Sequence, residues 1–202
     1  MLRSEIMRLL TLPLIVGLVV VCSAAAPAEA QRRQRISRTP DAGNWAVEAS
    51  VGATGPLNDN LEQGLDVGGG VEGYLTPRVS VRGQLRTAWL GFGEPLGFTG
   101  TLQPTFFVGN IVYNLERGVW HPYVTAGIGA YRYAWSEPGV PDGSNTYGGV
   151  NLGGGVEYFI HRDTTITGEF TYHKVGDVDV ARATLRDGSF WSVTMGGKKY
   201  FR

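Results

Sequence analysis

The stretch Val79-Ser80-Val81-Arg82-Gly83-Gln84-Leu85-Arg86-Thr87-Ala88-Trp89-Leu90 decides the fold class. Successive side chains of a β-strand point to opposite faces. One face therefore carries Val79, Val81, Gly83, Leu85, Thr87 and Trp89, and the other Ser80, Arg82, Gln84 and Arg86. The alternation outlasts the roughly 5 to 6 residues of an average soluble strand and reaches the about 9 to 11 tilted residues that cross a bilayer. Charges confined to one face suit a wall between lipid and a polar lumen, because an Arg or Lys facing lipid at the bilayer midplane costs about 2 to 4 kcal/mol.

The same reading extends along the chain. Period-2 alternation predicts strands at about Trp45 to Ala53, Leu65 to Leu75, Val79 to Leu90, Thr101 to Leu115, Tyr123 to Trp135, Tyr147 to Ile160, Thr164 to His173 and Phe190 to Phe201. Trp45, Val47, Ala49 and Val51 oppose Glu48 and Ser50; Leu65, Val67, Val71 and Leu75 oppose Asp66 and Glu72. Val150, Leu152, Val156 and Tyr158 oppose Asn151 and Glu157, and Ile166, Phe170 and Tyr172 oppose Thr167, Glu169 and His173. Two strands read less cleanly. Inward Asn110 and Asn114 would bring Phe106, Val108 and Val112 inside, and inward Arg132 would do the same to Val124 and Ile128, unless a bulge resets the register.

The connections sort by length. Thr76-Pro77-Arg78 and His161-Arg162-Asp163 are tight and Glu116 to Pro122 is moderate, whereas the other four are longer and rich in Gly, Pro and Asp. Barrels of the outer membrane keep short turns on the periplasmic side, so both chain termini are expected there. Aromatics collect at two levels, with Trp89, Tyr131, Tyr133, Trp135, Tyr172 and Trp191 towards the long loops and Trp45, Tyr113, Tyr158 and Phe201 towards the turns. The expected fold is all-β, an eight-stranded antiparallel up-and-down transmembrane β-barrel over residues 45–202.

Ahead of it, Arg3 and Arg8 lead into an apolar run from Leu9 to Val21, and Ala28-Glu29-Ala30 fits a cleavage site. Residues 1–30 thus read as a signal peptide and 31–44 as a flexible periplasmic lead-in. Bulky Val21 argues against a lipid-anchored Cys22, the single cysteine, so the exported chain would hold no disulfide. Eighteen basic and eighteen acidic residues balance, and no charge run suggests a nucleic acid.

The lumen-facing positions include Glu48, Glu72, Glu157 and Glu169 beside Arg82, Arg86 and Arg132, with Lys198 a further candidate. Eight strands leave an interior just wide enough for side chains, and charges there must be paired. An internal charge network that plugs the lumen is expected; the alternative is a narrow polar channel. A catalytic reading fares poorly. Of the three histidines, His121 and His161 fall in turns, and His173 has Val175 rather than a serine two residues on. No metal-ligand cluster or cofactor motif stands out. Gly68-Gly69-Gly70-Val71-Glu72-Gly73 fits a dinucleotide fingerprint but runs into a Thr-Pro turn rather than a helix; its glycines suit curvature or the packing of bulky inward neighbours. Gly43-Asn44-Trp45 matches the opening of the soluble lipocalin barrels, which need an apolar interior that the inward charges here do not provide.

Taken together, the signal, the eight strands, the Trp45 strand running into Val51-Gly52, the segment His121-Pro122-Tyr123-Val124-Thr125-Ala126-Gly127-Ile128-Gly129 and the aromatic last strand resemble the small outer-membrane barrels of the OmpA/OmpX type. The resemblance covers Trp45 to Phe201. It implies a structural or surface-interaction role and no catalysis. As partners it implies outer-membrane lipids including lipopolysaccharide, the barrel-assembly machinery during biogenesis and an extracellular ligand at the long loops. Such barrels end on an aromatic residue that the assembly machinery reads; here Arg202 follows Phe201.

Overall fold

The computed structural model describes residues 40–57, 61–91, 101–116, 118–136, 139, 141–180, 183–185 and 187–201. The signal and most of the lead-in, Cys22, Arg202 and the loop charges Asp59, Glu94, Glu137, Arg182 and Arg186 lie outside the described residues.

Long alternating segments become long strands. They are β1 (Trp45–Pro56), β2 (Gly64–Tyr74), β3 (Val79–Gly91), β4 (Thr101–Asn114), β5 (Trp120–Ser136), β6 (Gly143–His161), β7 (Thr164–Val175), β8 (Val178–Val180), β9 (Ala183–Leu185) and β10 (Phe190–Phe201). Eight of them close a barrel in the order β1-β10-β7-β6-β5-β4-β3-β2, every neighbouring pair antiparallel. Closure leaves no edge, so each long strand finds backbone partners on both sides, as a chain in hydrocarbon requires. The first and last strands seal the seam, with Trp45 opposite Phe201 and their rings stacked 4.3 Å apart.

Two features were not visible in the sequence. The hairpin β5–β6 is taller than expected, pairing continuously from Trp120–Tyr158 to Trp135–Gly143. The connection between β7 and β10 folds its own small hairpin, β8–β9, which docks on β6: Asp179 N donates to Tyr147 OH at 2.8 Å, and Asn145 Nδ2 to Asp179 O at 3.0 Å.

The wall is inverted relative to a soluble protein. Leu65 is 72%, Ile128 71% and Leu152 63% exposed, and outward Val51, Leu85, Phe107, Ile111 and Met195 are exposed with them, while Arg82 and Lys198 are buried. A belt of that size is far beyond what soluble monomers expose; it is a lipid-facing surface. Outward aromatics border it at both ends: Trp45, Tyr113, Trp120, Tyr158 and Phe201 near the turns, Trp89, Tyr172 and Trp191 near the long loops.

The ambiguous strands resolve without a bulge, since β3–β4 and β4–β5 keep one unbroken register. In β4 the inward set is Phe106, Val108, Asn110, Val112 and Asn114. In β5 the parity is opposite to the expected one: Tyr131 and Tyr133 are buried inside, and Val124, Ile128 and Arg132 face outward. Arg132 is therefore not a lumen residue, and Tyr131 and Tyr133 are not girdle residues. Trp135 packs partly buried against the inner cluster rather than outward. The shift at Phe159–His161, beside the β6–β7 turn, is the irregularity the pairing does contain.

A closed ladder of this length resists detergent. Folded protein run unboiled on a denaturing gel is expected to migrate apart from the boiled sample; identical mobility would contradict the barrel.

Candidate functional site

The lumen holds the chemistry, in two layers. At the turn end, Lys198 of β10 is buried between Glu72 of β2 and Glu157 of β6, donating to Glu72 Oε2 at 2.6 Å and to Glu157 Oε1. Ser80 completes Glu72, and Tyr200, itself 3.2 Å from Tyr74 OH, completes Glu157. Beside them Arg82 of β3 crosses the lumen to Glu169 of β7 at 2.6 Å, and Tyr123 OH donates to the same oxygen at 2.6 Å. Thr171 Oγ1 donates to the other oxygen of Glu169 at 3.0 Å. Glu48 sits between Arg82 (3.7 Å) and Lys198 (3.8 Å) and accepts from Gln84 Nε2 at 2.6 Å. Above these, Arg86 pairs with buried Asp66 at 2.9 Å and donates to Ser50 Oγ at 2.6 Å, and Thr54 Oγ1 donates to Asp66 Oδ2 at 3.1 Å.

Cross-strand neighbours explain part of this web. Glu72 is opposite Arg82 and Glu48 is opposite Lys198. The Arg82–Glu169 pair spans strands that are not adjacent in the sheet, so only the narrowness of the barrel brings it together. Room for large side chains comes from facing glycines. A Cβ at Gly155 would meet Tyr123 OH at 2.5 Å, and one at Gly149 would meet the Tyr131 ring at 2.8 Å.

Towards the long loops the lumen turns apolar. Leu90, Leu102, Phe106, Val108, Tyr131, Tyr133, Val175 and Phe190 form one buried cluster, capped by Val178 from β8. His173 lies within it, stacked on Phe190 at 4.5 Å, with Tyr131 OH 3.0 Å from Nδ1 and Ser192 Oγ 3.4 Å from Nε2. That serine-histidine contact has no carboxylate behind it and is sealed inside the wall; Tyr131 takes the place a triad acid would need. Among the described residues no group of His, Cys, Asp and Glu could hold a metal ion.

Of the residues the sequence nominated for the lumen, Glu48, Glu72, Arg82, Arg86, Glu157 and Glu169 are brought together inside, and Arg132 is not. Its Nε donates instead to Ser144 Oγ on the outer surface at 3.1 Å. A charge near a rim costs little, so charge alone was a poor marker of the inner face there. Asp66 and Lys198 carry more of the web than the sequence suggested, and Tyr123 and Tyr200 read as ordinary strand aromatics.

The loop that ends in β10 is tied at Asp187, which adopts a left-handed backbone (φ 62°) that aspartate tolerates. Ser189 N and Lys174 Nζ donate to its carboxylate at 3.2 and 3.1 Å, and these bonds hold its pKa below the usual aspartate value.

Removing one member of a buried ion pair strands its partners, at about 3 to 5 kcal/mol, whereas an exposed pair contributes about 0 to 1 kcal/mol. Lys198→Met is therefore expected to lower the unfolding free energy in lipid vesicles several-fold more than Lys199→Met, whose lysine holds Asp163 on the exposed face. Urea titration followed by tryptophan fluorescence measures both; equal losses would contradict the web as drawn.

Comparison with known proteins agrees with this architecture. Among solved structures, neisserial surface protein A (NspA) superposes with a TM-score of 0.59 at 12% identity, covering 79% of this chain and 98% of that one. The outer membrane protein OprG from Pseudomonas aeruginosa gives 0.60 at 11% identity, covering 80% and 97%. Ail, the attachment invasion locus protein of Yersinia pestis, in complex with the heparin analogue sucrose octasulfate, gives 0.51 at 13% identity, covering 79% and 99%. At such identities the likeness is one of fold. No curated protein matches the sequence. The model of the outer membrane protein beta-barrel domain matches residues 14–196, and the chain belongs to that family.

Proposed function

We propose that this protein is a closed outer-membrane barrel that serves as a structural and surface-interaction element rather than as a pore. The observation that carries this reading is the filled lumen: an ion-pair web in one half and an apolar cluster in the other. The apolar cluster spans β3, β4, β5, β7 and β10 with Val178 of β8 packed against it, which supports a lumen without a continuous polar path.

The loop lengths support one orientation, with the termini on the periplasmic side. The turns after β2, β4 and β6 are short, the opposite connections are long, and both ends of the barrel chain, Trp45 and Phe201, lie at the turn end. Short turns and termini facing the periplasm suit assembly from that side after removal of residues 1–30 as a signal peptide. The long loops then face outward on a rigid support, the usual arrangement for recognition. Glu62, Asp142, Asp177 and Asp179 are exposed there, so a loop ligand would be cationic or hydroxyl-rich.

A narrow channel has one observation in its favour. Asn110 Oδ1, Thr125 Oγ1 and both side-chain polar atoms of Asn151 are buried around Gly127 without a hydrogen-bond partner among the described residues, and buried polar groups of that kind are commonly bridged by water. The apolar cluster above them supports a dead end there rather than a path.

In planar bilayers the purified protein is expected to give no steady conductance; stable open steps would overturn the closed-lumen reading. Orientation is tested separately by single cysteines labelled on intact cells with a membrane-impermeant maleimide. Asp142→Cys is expected to react and Arg162→Cys not to react; the reverse pattern would invert the barrel.

A further inference from the structure

At the turn end of the lumen, carboxyl groups crowd onto shared cations. Lys198 Nζ stands 2.6 Å from Glu72 Oε2, touches Glu157 Oε1 and lies 3.8 Å from Glu48 Oε2. Arg82 is divided in the same way, between Glu169 at 2.6 Å and Glu48 at 3.7 Å. Each oxygen of Glu72 and of Glu157 already has a partner, Ser80 and Lys198 for the first, Lys198 and Tyr200 for the second. The crowding is therefore built from contacts that are present. Two carboxyls that share one site do not both ionise without a large cost, and a single retained proton relieves it. Away from water, a carboxyl whose counter-charge is divided takes up that proton rather than stay charged.

The surroundings of Glu157 fit the neutral form. Glu72 is opposite Arg82 in the sheet, whereas Glu157 is opposite His121 on one side and Thr167 on the other. Towards the turns, the rings of His121, Phe159, Tyr200 and Tyr74 follow one another at 4.9, 5.4 and 5.9 Å. That aromatic floor keeps water from Glu157, which is 1% exposed, and water is what would support its charge. Tyr200 is half-buried, and its hydroxyl touches Glu157 Oε2 on one side and lies 3.2 Å from Tyr74 OH on the other. A hydroxyl accepts as well as donates, so Tyr200 can take the hydrogen of a protonated Glu157 and pass its own to Tyr74.

We propose that Glu157 is a proton-binding site, held as the neutral acid at neutral pH and reached from the turn end through Tyr200, which makes the lower web a pH-sensitive lock. While protonated, it leaves Lys198 to Glu72. Once ionised, it competes with Glu72 for the same ammonium, and the contacts that tie β6 to β2 and β10 loosen. The groups that bear on it are Lys198 and Tyr200 of β10, Glu72 and Tyr74 of β2, and His121 and Tyr123 of β5. Arg82 of β3, Glu48 of β1 and Glu169 of β7 stand one contact further away. The folded chain then binds one proton more than the unfolded chain, whose glutamate is ionised, so stability falls as pH rises above the ordinary glutamate range. The proposal goes beyond the closed lumen and uses the orientation given above only in that the turn end senses the periplasm.

Infrared spectroscopy of the folded protein in lipid vesicles tests the site. At neutral pH wild type is expected to show the C=O stretch of a protonated carboxyl, and Glu157→Gln to lose it. Tyr200→Phe is expected to keep the band at a shifted frequency, because the acid loses its acceptor. Asp163→Asn, which removes the exposed partner of Lys199, is expected to leave it as in wild type. Urea titrations read the linkage: over the pH range in which the band persists, the folding constant of wild type is expected to fall about tenfold per pH unit relative to that of Glu157→Gln. Absence of the band from wild-type protein that still shows the gel shift would overturn the proposal. So would a band that survives Glu157→Gln, or the same pH dependence in both proteins. None of these results depends on conductance or on the cysteine labelling, so the closed lumen and the orientation stand or fall separately.

Discussion

The closed hydrogen-bond ladder is the constraint from which the rest of the structure follows. Once β1 meets β10, the parity of every long strand is coupled to that of its neighbours, because a one-residue slip would turn a whole strand inside out. Such a slip in β3 would put Arg82 and Arg86 into lipid and Val81 and Leu85 into the lumen. The cost of lipid-facing charge thus enforces register, and register in turn decides which side chains must satisfy one another inside.

What lies inside is correspondingly strict. Among the described residues four buried carboxylates, Glu48, Asp66, Glu72 and Glu157, and the half-buried Glu169 face three buried cations, Arg82, Arg86 and Lys198. Hydroxyls and amides make up the difference in acceptors and donors: Ser80, Tyr123, Tyr200, Thr54 and Gln84 all donate to these carboxylates. The web is a group of mutually dependent contacts rather than a set of separate bridges, since Lys198 alone joins three strands. Burying these charges costs desolvation energy that the pairing offsets only when every member is satisfied, so loss of one member is felt by all. The apolar cluster above it fills the other half by packing of buried side chains, with Val178 of the β8–β9 hairpin among them.

How much of this was legible in the sequence depends on contrast between the two faces. In β1, β2, β3, β6 and β7 a polar lumen opposes lipid, alternation is sharp, and the inward residues read directly from the chain. In β4 and the upper half of β5 both faces are apolar or aromatic, because Phe106, Val108, Tyr131 and Tyr133 belong to the inner cluster. There the pattern lost its contrast, and Arg132, the one charge in β5, pointed the wrong way. The pairing within the web was not legible either. Arg82 and Glu169 lie 87 residues apart, on strands that the barrel sets across its bore rather than side by side. The β8–β9 hairpin escaped because three-residue strands are too short to show a period.

Charges meet across the lumen at Arg82 and Glu169, and a double-mutant cycle on the two is the direct test of that contact. Unfolding free energies of Arg82→Met, Glu169→Gln and the double variant are compared with wild type in the same lipid vesicles. A coupling energy of about 1.5 kcal/mol or more is expected for a buried, hydrogen-bonded ion pair in contact. Additive losses within about 0.5 kcal/mol would mean that the two side chains do not meet, and would contradict an ion-pair web spanning the lumen.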